Sequence, residues 1–292
     1  MQAALQKLPR NFDLAAFFKL IRLNNLLIIA LTQAMIKVFL VDEGRLGLYS
    51  LQDWALWGIV GATLAIAAAG YIINDYYDIK IDTINKPERV VVGRVLKRRV
   101  ALVANFVLNL AGLALAFPVS WAVFGITLGS GFLLWLYSNQ LKRRPLIGNV
   151  VIALLTAASV VVLAAYYPTN QDLVIVFALF AFFITLVREI VKDMEDVRGD
   201  ADFGCKTLPI VWGMRRTKRV IYTFLAIFAI ILLSTYLTFP RRFVFYLYVV
   251  VLPPLLWFTV RLYWADTRRT FAFLSSLCKW IMVLGVLSMA LV

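Results

Sequence analysis

The stretch WALWGIVGATLAIAAAGYIINDYYDIKID, residues 54–82, decides how this chain is read. It opens with an apolar run too long for the core helix of a soluble domain. As a helix, such a run crosses the ~30 Å hydrocarbon core of a bilayer. It ends on Asp75, Asp78 and Asp82. Working outward, similar runs recur at roughly 18–40, 99–117, 119–138, 148–167, 171–193, 217–238, 243–264 and 270–291. The break between the third and fourth runs rests on Pro118, which cannot continue a helix interior. Hydrophobic residues make up 62% of the 292 positions, against about 45–50% in soluble domains. The sequence therefore predicts an all-α integral membrane protein with about nine transmembrane helices and a single domain over 1–292. No small-residue cleavage site follows a short apolar core at the N-terminus, so the first span is expected to stay.

Charge then orients the spans. Lys80, Lys86, Arg89, Arg94, Lys97 and Arg98 follow the second span. Lys142, Arg143 and Arg144 follow the fourth, Arg198, Lys206, Arg215 and Arg216 the sixth, and Arg268 and Arg269 the eighth. The alternate loops carry only Arg45, then Arg241 and Arg242. The positive-inside rule puts the first set in the cytoplasm, with Lys7 and Arg10 at the N-terminus. Nine spans then place Val292 on the opposite side. The net charge of +14 is thus a matter of topology, and no nucleic-acid partner is expected because no basic arm or aromatic RNA-binding motif appears. The chain has no His, and Cys205 and Cys278 stand far apart. His-based catalysis is excluded, and no zinc site or disulfide framework can be argued from the two Cys. Acid–base and metal chemistry must fall to Asp and Glu.

The carboxylates form two clusters. Asn74-Asp75-Tyr76-Tyr77-Asp78-Ile79-Lys80-Ile81-Asp82 closes the second span, and Asp193-Met194-Glu195-Asp196-Val197-Arg198-Gly199-Asp200 closes the sixth. Both contain D-x-x-D-x-x-x-D, in which each spacing is one helical turn. If the helices continue that far, Asp75, Asp78 and Asp82 share a face, as do Asp193, Asp196 and Asp200 with Glu189 one turn earlier. Glu195 points elsewhere. Like charges so placed repel one another, and carboxylates at a membrane boundary lose hydration. A divalent cation answers both objections. Mg²⁺ takes oxygen ligands and is often shared between carboxylates and substrate phosphates, so two facing clusters would bridge it to one diphosphate. The duplicated spacing suggests an internal repeat, although the apolar sequences show no similarity.

Further motifs accompany the clusters. Arg22 and Asn25 form R-x-x-N in the first span. Tyr137-Ser138 precedes Leu141-Lys142-Arg143 at the end of the fourth, Gly148-Asn149 opens the fifth, and Lys206-Thr207-Leu208-Pro209 follows the second cluster. With these, the chain resembles the UbiA superfamily of intramembrane prenyltransferases over most of residues 18–215. The resemblance implies helices around a central cavity opening toward the cytoplasmic side, and Mg²⁺-dependent transfer from an isoprenyl diphosphate. Arg188 to Asp193 and Asp196 to Asp200 look most like the family's digeranylgeranylglyceryl phosphate synthase branch, which implies the hydroxyl of geranylgeranylglyceryl phosphate as lipid acceptor. Asn85-Lys86-Pro87-Glu88-Arg89 resembles the family's capping loop. It departs from the pattern at Val90 to Val92, where the family often has Pro and a small polar residue before the Gly.

On this resemblance Asp75, Asp78, Asp193 and Asp196 are the expected metal ligands and catalytic groups. Asp82 and Asp200, one turn further out, act through water or on the acceptor. Asn74 orients a carboxylate or meets a phosphate oxygen. Arg22 is read as an anion partner inside an apolar helix, and Glu189 as part of the substrate site. Lys142 and Lys192 either contact the diphosphate or snorkel to the interface. Asn25 and Asn149 either meet substrate or join helices by hydrogen bonds. Tyr137 either covers an allylic cation or belongs to the aromatic belt. Arg143 and Arg144 are topology determinants, Lys37 is expected to snorkel, and Lys279 finds no role. The Phe and Tyr of spans six to eight are read as ordinary membrane packing rather than a prenyl-binding wall. Two other readings remain. An aromatic acceptor would suit quinone or chlorophyll-type biosynthesis, and intramembrane carboxylates also mark transporters and channels, though those sites usually lie at the midplane.

Overall fold

The computed structural model describes residues 14–85, 87, 90–238 and 247–291. Lys7, Arg10, Lys86, Glu88, Arg89, Arg241, Arg242 and Val292, which entered the readings of topology and of the capping loop, lie outside the described residues. The helices are α1 (Leu14–Leu20), α2 (Leu23–Met35, prolonged by a π-helical turn over Ile36–Val41), α3 (Trp54–Asn85), α4 (Arg98–Ala116) and α5 (Trp121–Asn139). They continue as α6 (Ile147–Ala164), α7 (Gln171–Asp202), α8 (Leu208–Thr238), α9 (Leu252–Tyr263) and α10 (Arg268–Leu287). Among the described residues there is no strand, only an isolated bridge between Val92 and Leu96.

Among the described residues, eight helices are long and apolar enough to cross a membrane. The predicted span at 243–264 appears as the shorter apolar helix Val249–Tyr263, with residues 239–246 just before it undescribed. The break at Pro118 is present. α4 stops at Ala116, and α5 restarts under a Ser120 cap whose hydroxyl accepts the Val123 amide at 3.1 Å. The seventh span starts earlier than expected, at Leu208. Its first turn reads as separate because Gly213 (φ 77°, ψ 161°) kinks the helix, and the cations Arg215 and Arg216 follow.

α3 and α7 are also longer than their apolar runs, at 32 residues each. At 1.5 Å per residue each is about 48 Å long, well beyond the ~30 Å hydrocarbon core. The overshoot begins near Asn74 in α3 and near Asp193 in α7. The extra turns carry the two acidic motifs on regular helix, which meets the condition for each motif to share a face. α3 packs chiefly on α4 and α5, and α7 on α6, α10 and α8.

Buried amides tie the bundle together, as expected where lipid cannot satisfy them. Gln33 on α2 is fully buried and donates to Thr63 Oγ1 on α3 (3.0 Å) and to the Ser159 carbonyl on α6 (2.7 Å). Asn105 on α4 donates to the Ala69 carbonyl on α3 at 2.8 Å. Lys37 does not snorkel. The π-helical turn brings Asp42 back beneath it, so Lys37 Nζ is buried at 2.7 Å from Asp42 Oδ2 and 3.7 Å from Asp53 Oδ2, and 4.7 Å from the Tyr167 ring centre. The Tyr167 hydroxyl donates to Asp53 Oδ2 at 2.6 Å, and burial with this bond raises its phenol above the usual value. A cation with two carboxylates and a ring in reach has no need of the interface. The aromatic residues of spans six to eight pack into the core, with Phe180 and Phe183 at 5.8 and 5.5 Å from Phe228.

Candidate active site

Two carboxylates of the first motif, Asp75 and Asp78, each meet a cation from another element. Asp75 Oδ1 lies 2.8 Å from Arg22 Nη2. Asp78 is ion-paired with Lys142. Arg22 is not inside a helix, as the sequence suggested. It is the hinge between α1 and α2, at φ 53° and ψ 54°. This left-handed conformation is uncommon for a non-glycine residue, and it accompanies a guanidinium placed 4.9 Å from the Tyr71 ring centre and paired to Asp75. Lys142 stands on the short turn Leu141–Arg143. Two contacts hold that turn. Arg143 O accepts the Lys206 amide at 2.9 Å, and α6 begins hard against it. A Cβ on Gly148 would come within 2.8 Å of Lys142 Cα, so only glycine fits there without a shift.

The second motif is held by neighbours of another kind. Asn149, next to Gly148, donates to Asp193 Oδ2 at 2.8 Å. Glu189, one turn before, is buried between Arg188 Nη1 (2.8 Å) and Lys192 Nζ (2.7 Å). Glu189 and Lys192 therefore answer each other on one helix face as well as lining the cavity. The Gly-Asn pair thus has a double task, glycine for the Lys142 turn and asparagine for Asp193.

Asn85 joins the two motifs. It is the last residue of α3. Its Nδ2 donates to the Asp196 carbonyl (3.1 Å), its Oδ1 accepts the Gly199 amide (3.0 Å), and its own carbonyl accepts from Arg268. The sequence placed Asn85 only in a capping loop. Its spacing held a signal, because it stands three residues after Asp82 and so extends the same face of the helix.

Both clusters open onto one cavity of about 820 Å³, within the usual range for small-molecule sites. Arg22, Asn25, Asn74, Asp75, Asp78, Asp82, Tyr137, Lys142, Glu189, Lys192, Asp193, Asp196 and Asp200 all line it. Asn149 reaches it through Asp193. Beyond the polar end the wall is aliphatic or hydroxyl-bearing, with Ile28, Ile66, Ile126, Leu134, Leu155 and Val162 among the lining. Arg188, Cys205, Thr207 and Lys279 also face the cavity. Burial, and then the Asp200 carboxylate, push the Cys205 thiol up.

Among the described residues no three Asp, Glu or Cys side chains stand close enough together to hold a metal ion by themselves. The donor set still suits a hard cation. It consists of carboxylate oxygens and the Asn74 Oδ1, which is buried beside them without a hydrogen-bond partner. Mg²⁺ commonly takes only one or two carboxylates and completes its shell with substrate phosphates and water.

The profile of the UbiA prenyltransferase family matches residues 32–289. The chain belongs to the UbiA prenyltransferase family. It is 36% identical over 184 residues to a digeranylgeranylglyceryl phosphate synthase of Thermococcus sibiricus, covering 56% of this chain and 66% of that one. It is 39% identical over 162 residues to the synthase of the same name from Pyrococcus horikoshii, covering 55% of this chain and 58% of that one. The match thus spans less than two thirds of these relatives' own length. Among solved structures, one described as a digeranylgeranylglyceryl phosphate synthase in membranes shares the fold at TM-score 0.72 and 24% identity, over 94% of this chain and 96% of that one. A UbiA homologue from Archaeoglobus fulgidus, solved with GPP and Mg²⁺, shares it at TM-score 0.65 and 17% identity, over 94% and 99%. The transporter and channel readings fall with this membership in the UbiA family.

Proposed function

We propose that this UbiA-family chain, read as one domain over 1–292, transfers a geranylgeranyl or similar prenyl group from its diphosphate to a lipid acceptor, the hydroxyl of geranylgeranylglyceryl phosphate. The observation that carries the reading is the shared cavity. Two D-x-x-D-x-x-x-D motifs open on its polar end, and aliphatic and hydroxyl-bearing side chains line the rest. A prenyl diphosphate has the same two-part character. The names of the matched relatives support the glyceryl phosphate acceptor.

In this reading Asp75, Asp78, Asp193 and Asp196 would hold Mg²⁺, with Asp82 and Asp200 one turn further out. The ion, when bound, neutralises charge on the diphosphate as it leaves. Arg22, Lys142 and Lys192 supply further positive charge, and Asn149 keeps Asp193 aimed into the cavity. Tyr137 presents a ring to the electron-poor allylic carbon. The aliphatic wall excludes water, which strengthens each of these interactions and protects the carbon from hydrolysis. The C1–O bond to diphosphate breaks and a bond from C1 to the acceptor oxygen forms. With no His in the chain, the acceptor's proton passes to a carboxylate or to the departing diphosphate. The basic loops orient the polar end and the N-terminus toward the cytoplasm and the C-terminus to the other side.

The test is purified protein in bilayer discs with geranylgeranyl diphosphate, Mg²⁺ and candidate acceptors. The expected result is Mg²⁺-dependent diphosphate release and an ether-linked product from geranylgeranylglyceryl phosphate. Turnover with aromatic acceptors alone would overturn the acceptor assignment.

A further inference from the structure

The cavity has a built floor. Gln33 on α2 is fully buried and joins three helices, donating to Thr63 Oγ1 on α3 at 3.0 Å and to the Ser159 carbonyl on α6 at 2.7 Å. Thr63 and Ser159 both line the cavity. Among the described residues, the lining on α3 begins at Thr63, on α2 it stops at Ile29, and on α6 it runs only one turn past Ser159, to Val162. Ile36, Ile59 and Leu163, fully buried in the core, stand about one turn beyond the bridge along the same three helices.

The depth of that floor follows from the helices themselves. At the polar end Arg22 pairs with Asp75 and Asn149 bonds Asp193, each at 2.8 Å, so α2, α3 and α6 are fixed at both ends of the cavity. Thr63 stands twelve residues before Asp75 on α3, and Ser159 ten residues after Asn149 on α6. At 1.5 Å per residue these are about 18 Å and about 15 Å. Gln33, ten residues past the start of α2 at Leu23, gives about 15 Å again. An extended chain advances about 1.2 Å per bond, so an isoprene unit of four bonds spans about 5 Å. Three units then reach about 14 Å, four about 19 Å and five about 24 Å. With C1 at the carboxylate end, the fourth unit ends at the floor and a fifth has no room. The wall suits such a chain although it carries hydroxyls. Thr63, Thr127, Thr156 and Ser159 each donate to a backbone carbonyl of their own helix, so they offer no donor to hold water against the chain.

We infer that the Gln33–Thr63–Ser159 bridge sets the length of the donor, admitting a prenyl diphosphate of four isoprene units and rejecting one of five. This rests on the prenyl-transfer reading above. The test is kcat/KM of wild type, Gln33→Ala and Ser159→Phe for geranyl, farnesyl, geranylgeranyl and geranylfarnesyl diphosphates, with geranylgeranylglyceryl phosphate as acceptor. Wild type should prefer the four-unit donor over the five-unit donor by about tenfold or more, the discrimination an apolar pocket gives against added bulk. Gln33→Ala, which opens the floor, should erase most of that preference. Ser159→Phe, which raises the floor, should shift the ratio of farnesyl to geranylgeranyl donor by about tenfold or more toward farnesyl. Turnover of geranyl diphosphate, too short to touch the floor, reports that each variant is folded. Wild type that uses the five-unit donor as well as the four-unit donor overturns the proposal while the parent reading stands. So do two variants that keep the wild-type order of lengths or lose all four donors alike. Wild type that releases diphosphate from none of the four donors overturns both.

Discussion

The side-chain carbonyl of Asn85, at the end of α3, accepts the backbone amide of Gly199 on α7 at 3.0 Å. That bond sets the separation of the two acidic helices at the mouth of the cavity. A Cβ at position 199 would stand 2.4 Å from Asn85 Oδ1, closer than side chains approach. Gly199→Ala must therefore push α3 and α7 apart or expel the Asn85 side chain. Overpacking of this kind costs about 1–3 kcal/mol. The variant should melt lower and lose most of its turnover. Because one clash causes the loss, adding Asn85→Ala should restore part of the melting temperature. Thermal denaturation of the two single variants and the double variant measures this coupling.

Asn149 acts on Asp193 through one hydrogen bond of 2.8 Å. Partners that orient a metal-binding carboxylate typically contribute 10–100-fold in affinity or rate. Asn149→Ala should raise the Mg²⁺ concentration needed for half-maximal turnover by about that range, with little change in melting temperature. Asn149→Asp should be worse, since it sets a second carboxylate against Asp193. Mg²⁺ titrations of turnover in the three proteins check both statements.

Lys37 supplies a contrast. It joins Asp42, Asp53 and Tyr167 at a place none of which lines the cavity. Removing one member of a buried ion pair strands the other charge, at about 3–5 kcal/mol. Lys37→Met should lower the melting temperature strongly, while turnover per folded molecule stays near wild type. Melting curves beside active-site-normalised rates separate the two effects.

Much of this was legible in the sequence for a physical reason. Lipid forces backbone bonds to close within each helix, so apolar run length fixes most spans, and the 3–4 spacing of the aspartates fixes their shared face. Hydropathy alone ended α3 and α7 too early, because the acidic turns that look like loop are helix continuing past the hydrocarbon. Arg22 and Lys37 were misplaced for a related cause. Their positions depend on Asp75, Asp42 and Asp53, contacts that span-by-span reading does not contain. Lys279 had no place in a span-by-span reading, because its position on the cavity wall, 3.4 Å from Asn25 Oδ1, depends on α10 meeting α2. Gly148 and Gly199 were visible as motif letters, but the neighbours that require glycine there come from other helices.

The central claim is that the two acidic motifs act as one clamp on the donor diphosphate. The most direct measurement is the rate of diphosphate release from geranylgeranyl diphosphate, with Mg²⁺ and acceptor, by wild type, Asp75→Ala and Asp193→Ala. Losing one pre-positioned electrostatic group of this kind typically costs about 10²–10³ in rate. Both variants should fall by at least that much while their melting temperatures show them folded. Turnover at the wild-type rate in both would contradict the account.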